Sequence, residues 1–203
     1  TTALNNVAVG FSAMVDVKTG VAVDGCVAIG YEALKGNSSN TTGLNHTIAI
    51  GYQALTALTT GTGNVAVGAY AGSATTTGGY NTAFGYKAMA NAVTAASNIV
   101  IGYEAGKNIG IDGASADNII IGKNAMDAAI DTESDNIAIG SNAMGAVDQG
   151  SHADADIDQN VCIGTNAGLG GDFGSADLNM IDNVAIGYGA MDGTGALYTY
   201  DNV

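Results

Sequence analysis

Three carboxylates at alternate positions are the clearest candidates for a functional site in this chain. Asp154, Asp156 and Asp158 would share one side of an extended segment. Oxygen-rich sets of this kind suit Ca²⁺, which takes about six to eight oxygen ligands. The Gly and distal Glu of an EF-hand loop are missing, however, so the pattern favours a solvated acidic loop over a metal site. A weaker version of the same pattern comprises Asp131, Glu133 and Asp135.

The sequence shows no recognisable catalytic machinery. His46 and His152 lie in different long segments, and neither belongs to a known catalytic motif. The paired glycines lack the spaced pattern of a nucleotide-binding loop, and no serine stands in a nucleophile elbow. We therefore predict a protein that is not an enzyme and that holds no cofactor.

The charge of the chain is uneven along its length. The formal net charge is −14. Residues 104–203 hold sixteen acidic residues and only two lysines, whereas the preceding part is near neutral. Such a surface repels nucleic acid and anionic membranes, and no apolar run reaches the roughly 18 residues of a membrane span. We interpret the acidic half as a solvated face and expect neither nucleic-acid binding nor membrane insertion.

A short phrase organises the whole chain: Asn, three small or β-branched residues, Gly, two variable residues and Ala. Its ten glycines, which number the repeats from 1 to 10, stand at positions 10, 30, 51, 68, 85, 102, 122, 140, 164 and 187. A phrase recurring every 17 to 24 residues is typical of stacked-repeat proteins. We predict an all-β parallel β-solenoid of about ten coils, a single array over 1–203 with a more acidic, longer-looped half from about residue 104. Asn202-Val203 begins another copy, so we expect an internal segment of a longer protein.

The three residues between Asn and Gly are apolar in almost every repeat, and we call them slots 1, 2 and 3. Slots 1 and 3 are mostly Val or Ile, which favour strands, and slot 2 is Ala in seven repeats. Alternate residues of a strand share a face. We predict that slots 1 and 3 fill the interior of the coil and that slot 2 points outward. An outward Ala implies close contact with another chain, so this interpretation predicts an oligomer.

The remaining positions of the phrase carry structural predictions. We expect the Asn residues to form an amide ladder and the Gly to provide a turn or a close backbone approach. The Met or Leu after the phrase Ala reads as core filler. Cys26 and Cys162 stand seven repeats apart, beyond disulfide reach, so we predict no bridge between them and a buried Cys162. Six repeats have an aromatic residue after Gly. These rings either stack outward, where they would suit sugars, or pack over the turn.

The phrase Asn-x-Ala-Ile/Val-Gly-x-x-Ala resembles the head repeats of YadA-like trimeric autotransporter adhesins. Its longer form over 79–89, Gly-Tyr-Asn-Thr-Ala-Phe-Gly-Tyr-Lys-Ala-Met, is similar to repeats of phage tail-fibre proteins. The resemblance covers essentially the whole chain. It implies a left-handed β-roll, three chains to a trimer, and no catalytic residues in the roll.

Three functions follow as expectations. The first is a structural segment of a phage tail or receptor-binding fibre that mediates host attachment, which would place the chain on the virion. The second is the head of a bacterial trimeric autotransporter adhesin on the cell surface, and the third is a cation- or glycan-binding module. The expected partners are two further copies of the chain and a host or cell-surface receptor, possibly a glycan.

Overall fold

The structure is a computed structural model that describes residues 5–17, 23–37, 43–111, 113–129, 132–147, 157–170, 180–192 and 199–200. The described residues form no helix, and they build a parallel β-solenoid of about seven turns. The fold class predicted from the repeat is therefore confirmed. The predicted number of about ten coils is not shown, although all ten repeats contribute a strand.

Each phrase forms one very short strand, and the strands stack in chain order. With three further two-residue strands outside the phrase, the strands of the described residues are β1 (Val7–Val9), β2 (Val27–Ile29), β3 (Ile48–Ile50), β4 (Val65–Val67), β5 (Thr82–Phe84), β6 (Ile99–Ile101), β7 (Ile119–Ile121), β8 (Ile137–Ile139), β9 (Ile157–Asp158), β10 (Val161–Ile163), β11 (Met180–Ile181), β12 (Val184–Ile186) and β13 (Thr199–Tyr200). The ten-stranded sheet runs β1-β2-β3-β4-β5-β6-β7-β8-β10-β12, and β9, β11 and β13 form a second, three-stranded sheet.

Pairing in the long sheet is parallel and in register. Slot 1 pairs with slot 1, slot 2 with slot 2 and slot 3 with slot 3, as in Val65↔Thr82, Ala66↔Ala83 and Val67↔Phe84. Nine steps of ~4.8 Å make the sheet about 43 Å tall. Each slot therefore forms a straight column of side chains along the solenoid.

Left-handed backbone conformations turn the chain at the same three places in each described repeat. The residue before the phrase Asn, the second residue after Gly and the fourth residue after Gly all have positive φ, as in Tyr80, Lys87 and Met89. The phrase Gly itself has φ between 131° and 144°, a region that is essentially glycine-only. A Cβ on Gly122 would also overlap the carbonyl oxygen of Gly140. The Gly column thus provides both a dihedral and a close backbone approach, as predicted.

The prediction for the inside and outside of the strand is wrong. Slot 2 is buried in repeats 2 to 10, with Ala28, Ala49, Val100 and Cys162 fully inaccessible. Slots 1 and 3 instead point outward and are half-buried or exposed, as Val9 shows with 56% of its surface exposed. The reason is space: the coil is so narrow that slot 2 faces the phrase Ala and the following Met or Leu, which are also buried.

In two repeats the residues that fill this interior are complementary in size. Val100, a large slot 2 residue, is followed by Gly106 where seven repeats have Met or Leu, and a Cβ on Gly106 would lie 3.2 Å from the Val100 side chain. A Cβ on Gly168 would likewise overlap the Cys162 sulfur. Close-packed interiors conserve volume in this way. The Met residues are core filler as predicted, with Met89, Met126 and Met144 buried.

Both cysteines are free and buried, which confirms the predicted absence of a bridge between them. Burial raises the pKa of the Cys162 thiol to about 12, so the group stays protonated and behaves as a small apolar residue. Across the described ranges, no helix has the length and apolar character of a membrane span.

Candidate interaction surface

The outward side of the ten-stranded sheet is an apolar strip two columns wide. Slots 1 and 3 supply twenty side chains, of which nineteen are apolar and one is Thr82. Phe84 is 55% exposed and Ile101 is 37% exposed. Monomeric proteins rarely expose a contiguous apolar patch of this extent without an interaction to match it. We call this surface the strip.

An aromatic ladder runs beside the strip, separated from slot 3 only by the phrase Gly. Phe11 and Tyr31 stack with centroids 5.6 Å apart, Tyr31 and Tyr52 at 5.0 Å, and Tyr86 and Tyr103 at 5.3 Å. The outward stack among the predicted alternatives is therefore present in repeats 1 to 6. In repeats 7 to 9 the same position is Lys123, Ser141 and Thr165, and Tyr188 of repeat 10 stands apart with 84% exposure.

Tyr70 fills a gap in the ladder that the sequence pattern leaves open. Repeat 4 has Ala69 after its Gly, but the next residue, Tyr70, makes edge-on contacts with Tyr52 at 5.2 Å and Tyr86 at 6.3 Å. Sequence reasoning missed this rung because it read a single position per repeat. The signal that would find it is an aromatic residue one place away from an expected rung.

The stacking of the rings limits what the ladder can bind. Tyr31 lies between Phe11 and Tyr52, so both faces of its ring are already covered. Sugars bind aromatic residues through the ring face, and this interior rung presents only its edge and hydroxyl. Desolvation raises the pKa of the Tyr52 hydroxyl, and the neighbouring Tyr70 adds to the effect, so this hydroxyl stays protonated at neutral pH.

Charged residues beside the ladder are paired within the chain. Glu32 accepts hydrogen bonds from Gln53 Nε2 at 2.7 Å and Lys35 Nζ at 3.0 Å. The bond from Gln53, followed by that from Lys35, lowers the pKa of the Glu32 carboxyl. Farther along, the Glu104 carboxylate lies 3.5 Å from Lys107 Nζ and 3.9 Å from Lys87 Nζ. Two contacts cross between neighbouring repeats, the hydrogen bond from Gln53 to Glu32 and the ion pair of Glu104 with Lys87, whereas Glu32–Lys35 and Glu104–Lys107 lie within one repeat.

The phrase Asn residues form the predicted amide ladder, and it is buried. The Nδ2 of Asn118 donates to Asn98 Oδ1 at 3.0 Å and to the Glu133 carbonyl at 2.7 Å. Its Oδ1 accepts from the backbone N–H of Asn136 at 3.0 Å. The same scheme links seven successive rungs, namely Asn64, Asn81, Asn98, Asn118, Asn136, Asn160 and Asn183. All seven are buried, so these amides are structural and not available to a ligand.

The candidate metal ligands are not brought together in the described part of the chain. Asp154 and Asp156 lie outside the described residues, as do Asp131 and His152. Asp158 accepts a hydrogen bond from the Ser134 backbone N–H at 2.7 Å, so it is engaged with the backbone. No group of three His, Cys, Asp or Glu residues suited to a metal occurs among the described residues.

The two weaker candidates that are described have separate environments. Glu133 is fully buried and accepts a hydrogen bond from Ser115 Oγ at 2.9 Å. Asp135 lies two residues farther along the chain and is exposed at one of the left-handed turn positions. His46 is also exposed at such a turn position. Glu133 is therefore buried inside the coil, whereas Asp135 and His46 are exposed at its turns.

Comparisons with known proteins add no relative to this description. No family model matches the sequence, and neither the curated proteins nor the solved structures contain a match.

Proposed function

We propose that this chain is a non-enzymatic structural segment of a homotrimeric attachment fibre, a phage tail or receptor-binding fibre that mediates contact with a host. The observation that carries the proposal is the strip, which runs along all ten strands. In this proposal three left-handed coils stand side by side with their strips turned toward a common axis. Recognition of a receptor then belongs to the residues that vary between repeats.

The periodicity of the strip supports a second copy of the chain as its partner. A partner that contacts every repeat must match the rise of ~4.8 Å between strands. An α-helix, with a pitch of ~5.4 Å, loses register within a few turns. A copy of the same solenoid keeps register over the full height of the sheet.

The distribution of charge supports the same partner. Residues 104–203 hold sixteen acidic residues, yet slots 1 and 3 of repeats 7 to 10 contain none. Asp117, Asp135 and Asp182 stand two residues before slot 1 and border the strip without entering it. This pattern is typical of the buried centre of an interface, where charged residues are depleted.

Mass measurement tests the proposal. Native mass spectrometry of the chain should give a particle of three times the 20.0 kDa chain mass. The double variant Phe84→Glu/Ile101→Glu should remain folded, because both side chains are exposed in a single chain, and should become monomeric. A control variant, Thr77→Glu/Ala114→Glu, places two charges at exposed positions outside the strands and should stay trimeric.

Two results would contradict the proposal: a monomeric unmodified chain at micromolar concentration, or a trimeric Phe84→Glu/Ile101→Glu variant. Substituting Ala66 or Ala83 by Glu would not test the oligomeric state. Both residues are buried in the coil, so such changes test folding rather than assembly.

The resemblance of the longer phrase to tail-fibre repeats favours a viral owner over a bacterial adhesin head. The flanking sequence distinguishes them, since a chaperone domain indicates the phage and a membrane-anchor barrel the adhesin. The cation-binding alternative predicts that millimolar Ca²⁺ raises the melting temperature of the chain, with the rise lost in Asp158→Asn. An unchanged melting temperature supports the structural role.

A further inference from the structure

The strip has two borders that differ in chemistry. One border is the position after the phrase Gly, where the aromatic ladder stands, and we call it the ladder border. The other is the position before the phrase Asn, which is always a left-handed turn residue, and we call it the turn border. Most turn-border residues are exposed, including Tyr80, Ser97 and Asp117.

The two borders change character at the same repeat. In repeats 1 to 6 the turn border has no acidic residue and reads Asn5, Gly25, His46, Gly63, Tyr80 and Ser97. In five of these repeats the ladder border is aromatic, and in repeat 4 it is Ala69, with Tyr70 as the adjacent rung. From repeat 7 the turn border becomes Asp117, Asp135, Gln159 and Asp182. The ladder border changes at the same point to Lys123, Ser141 and Thr165, and it is aromatic again at Tyr188 of repeat 10.

This joint change gives complementary pairs in repeats 7, 8 and 10. Uncharged turn residues accompany the aromatic rungs of repeats 1 to 6, and Asp117 accompanies Lys123 in repeat 7. Asp135 and Asp182 accompany Ser141 and Tyr188, whose hydroxyls are donors suited to a carboxylate. The members of a pair stand at opposite ends of the strand in one chain, because Ser97 and Tyr103 are six backbone steps apart across β6, a reach of up to about 20 Å.

We propose that the ladder border of one copy docks on the turn border of the next copy, repeat against repeat, around the axis of the fibre. This inference rests on the proposed function and specifies which surfaces meet. A cyclic assembly joins unlike surfaces, whereas a two-fold dimer joins like surfaces. Complementarity between unlike borders at equal height therefore favours a parallel, in-register ring.

Cysteine cross-linking tests the contact directly. In Ser97→Cys/Tyr103→Cys the two new thiols are too distant within a chain to meet the Cα separation of ~4.4–6.8 Å that a disulfide needs. Mild oxidation should link copies and yield covalent dimers and trimers on a non-reducing gel. Cys26 and Cys162 are buried and should not contribute. The control Thr77→Cys/Tyr103→Cys should give no ladder of linked species.

The outcomes separate this inference from the proposed function. A trimeric unmodified chain whose Ser97→Cys/Tyr103→Cys variant gives no linked species would overturn the border contact and leave the trimer standing. Efficient cross-linking of Tyr103→Cys alone would also overturn it, because that result requires like borders to meet. A monomeric unmodified chain would remove both proposals together.

A charge exchange provides a second readout that does not depend on new cysteines. Lys123→Glu should place like charges opposite each other and weaken trimer association by roughly threefold per contact. Asp117→Lys/Lys123→Glu should restore it. Lys35→Glu serves as the matched control, because Lys35 pairs with Glu32 inside the chain and should leave association unchanged. Failure of the double variant to recover, with Lys123→Glu weakened, would overturn the pairing.

Discussion

Repeats 4 to 10 and repeats 2 to 3 share one backbone but differ in their buried amides. From Asn64 to Asn183 every rung of the ladder is Asn, and each amide bonds to the next. In repeats 2 and 3 the same place is Cys26 and Thr47. The Cys26 thiol donates to the Leu44 carbonyl at 2.7 Å, whereas Thr47 Oγ1 is buried without a hydrogen-bond partner.

This comparison separates the interactions that every repeat has from the amide ladder, which repeats 2 and 3 lack. Strand pairing continues in register through β2 and β3, so the coil forms without Asn at this position in every repeat. The amide ladder adds stability, because each rung satisfies backbone groups that would otherwise be buried unpaired. We therefore expect repeats 2 and 3 to be the weaker part of the described array.

The largest effect is expected from breaking the intact part of the ladder. Asn118→Ala removes the donor to the Glu133 carbonyl and the acceptor for the Asn136 backbone N–H. Leaving these buried groups unpaired should lower the free energy of unfolding by on the order of 4 kcal/mol, as measured by urea denaturation. Asn91→Ala removes an exposed amide pair and should cost less than about 0.5 kcal/mol. Equal losses in the two variants would refute a special role for the ladder.

A smaller and opposite effect is expected from repairing the interrupted part. In Thr47→Asn the new amide can donate to the Gly61 carbonyl, as Asn64 donates to the Gly78 carbonyl at 2.9 Å. Its oxygen can accept from the Asn64 backbone N–H, as Asn64 accepts from Asn81. The free energy of unfolding should rise by about 1 kcal/mol. A decrease in the denaturation midpoint would show that the Thr47 site does not accommodate the amide.

A third variant separates the ladder from the unpaired hydroxyl. Thr47→Val removes the buried oxygen that lacks a partner and keeps the β-branched shape, so stability should rise by several tenths of a kcal/mol. The gain should be smaller than that of Thr47→Asn. If Val stabilises as much as Asn, relief of the hydroxyl accounts for the whole effect and the ladder adds nothing there.

The smallest effect concerns pH and lies at the surface of the weaker part. The pKa of Glu32 is lowered from 4.5 by the hydrogen bond from Gln53 and then by Lys35. Its contribution is therefore present above the unfolded pKa and is lost as the pH falls through the lower folded value. The melting temperature of the native chain should exceed that of Glu32→Gln at pH 7, and the gap should close toward pH 3. A gap that persists at pH 3 would contradict this assignment.

Much of the fold was predictable because it depends on local rules. The phrase Gly needs a dihedral that only Gly adopts readily, the phrase Asn recurs at a buried rung, and the short apolar runs form strands in register. The candidate surface was harder to predict. Tyr70 stands one residue after the position that carries the other rings of the ladder, so a pattern read at one position per repeat misses it. Its contacts with Tyr52 and Tyr86 depend on the folded positions of the rings.

Residue type and spacing alone predict the repeat, the parallel stacking, the Gly column and the separation of the two cysteines. The side of the strand that forms the interior depends on how the coil closes. Slots 1, 2 and 3 are almost all apolar, so the sequence shows no polar face that would mark the outside of the strand. Closure of the coil decides between the two faces, because three left-handed turn residues in each repeat bring the phrase Ala and the following residue to the same side as slot 2, where both are buried in repeats 2 to 9.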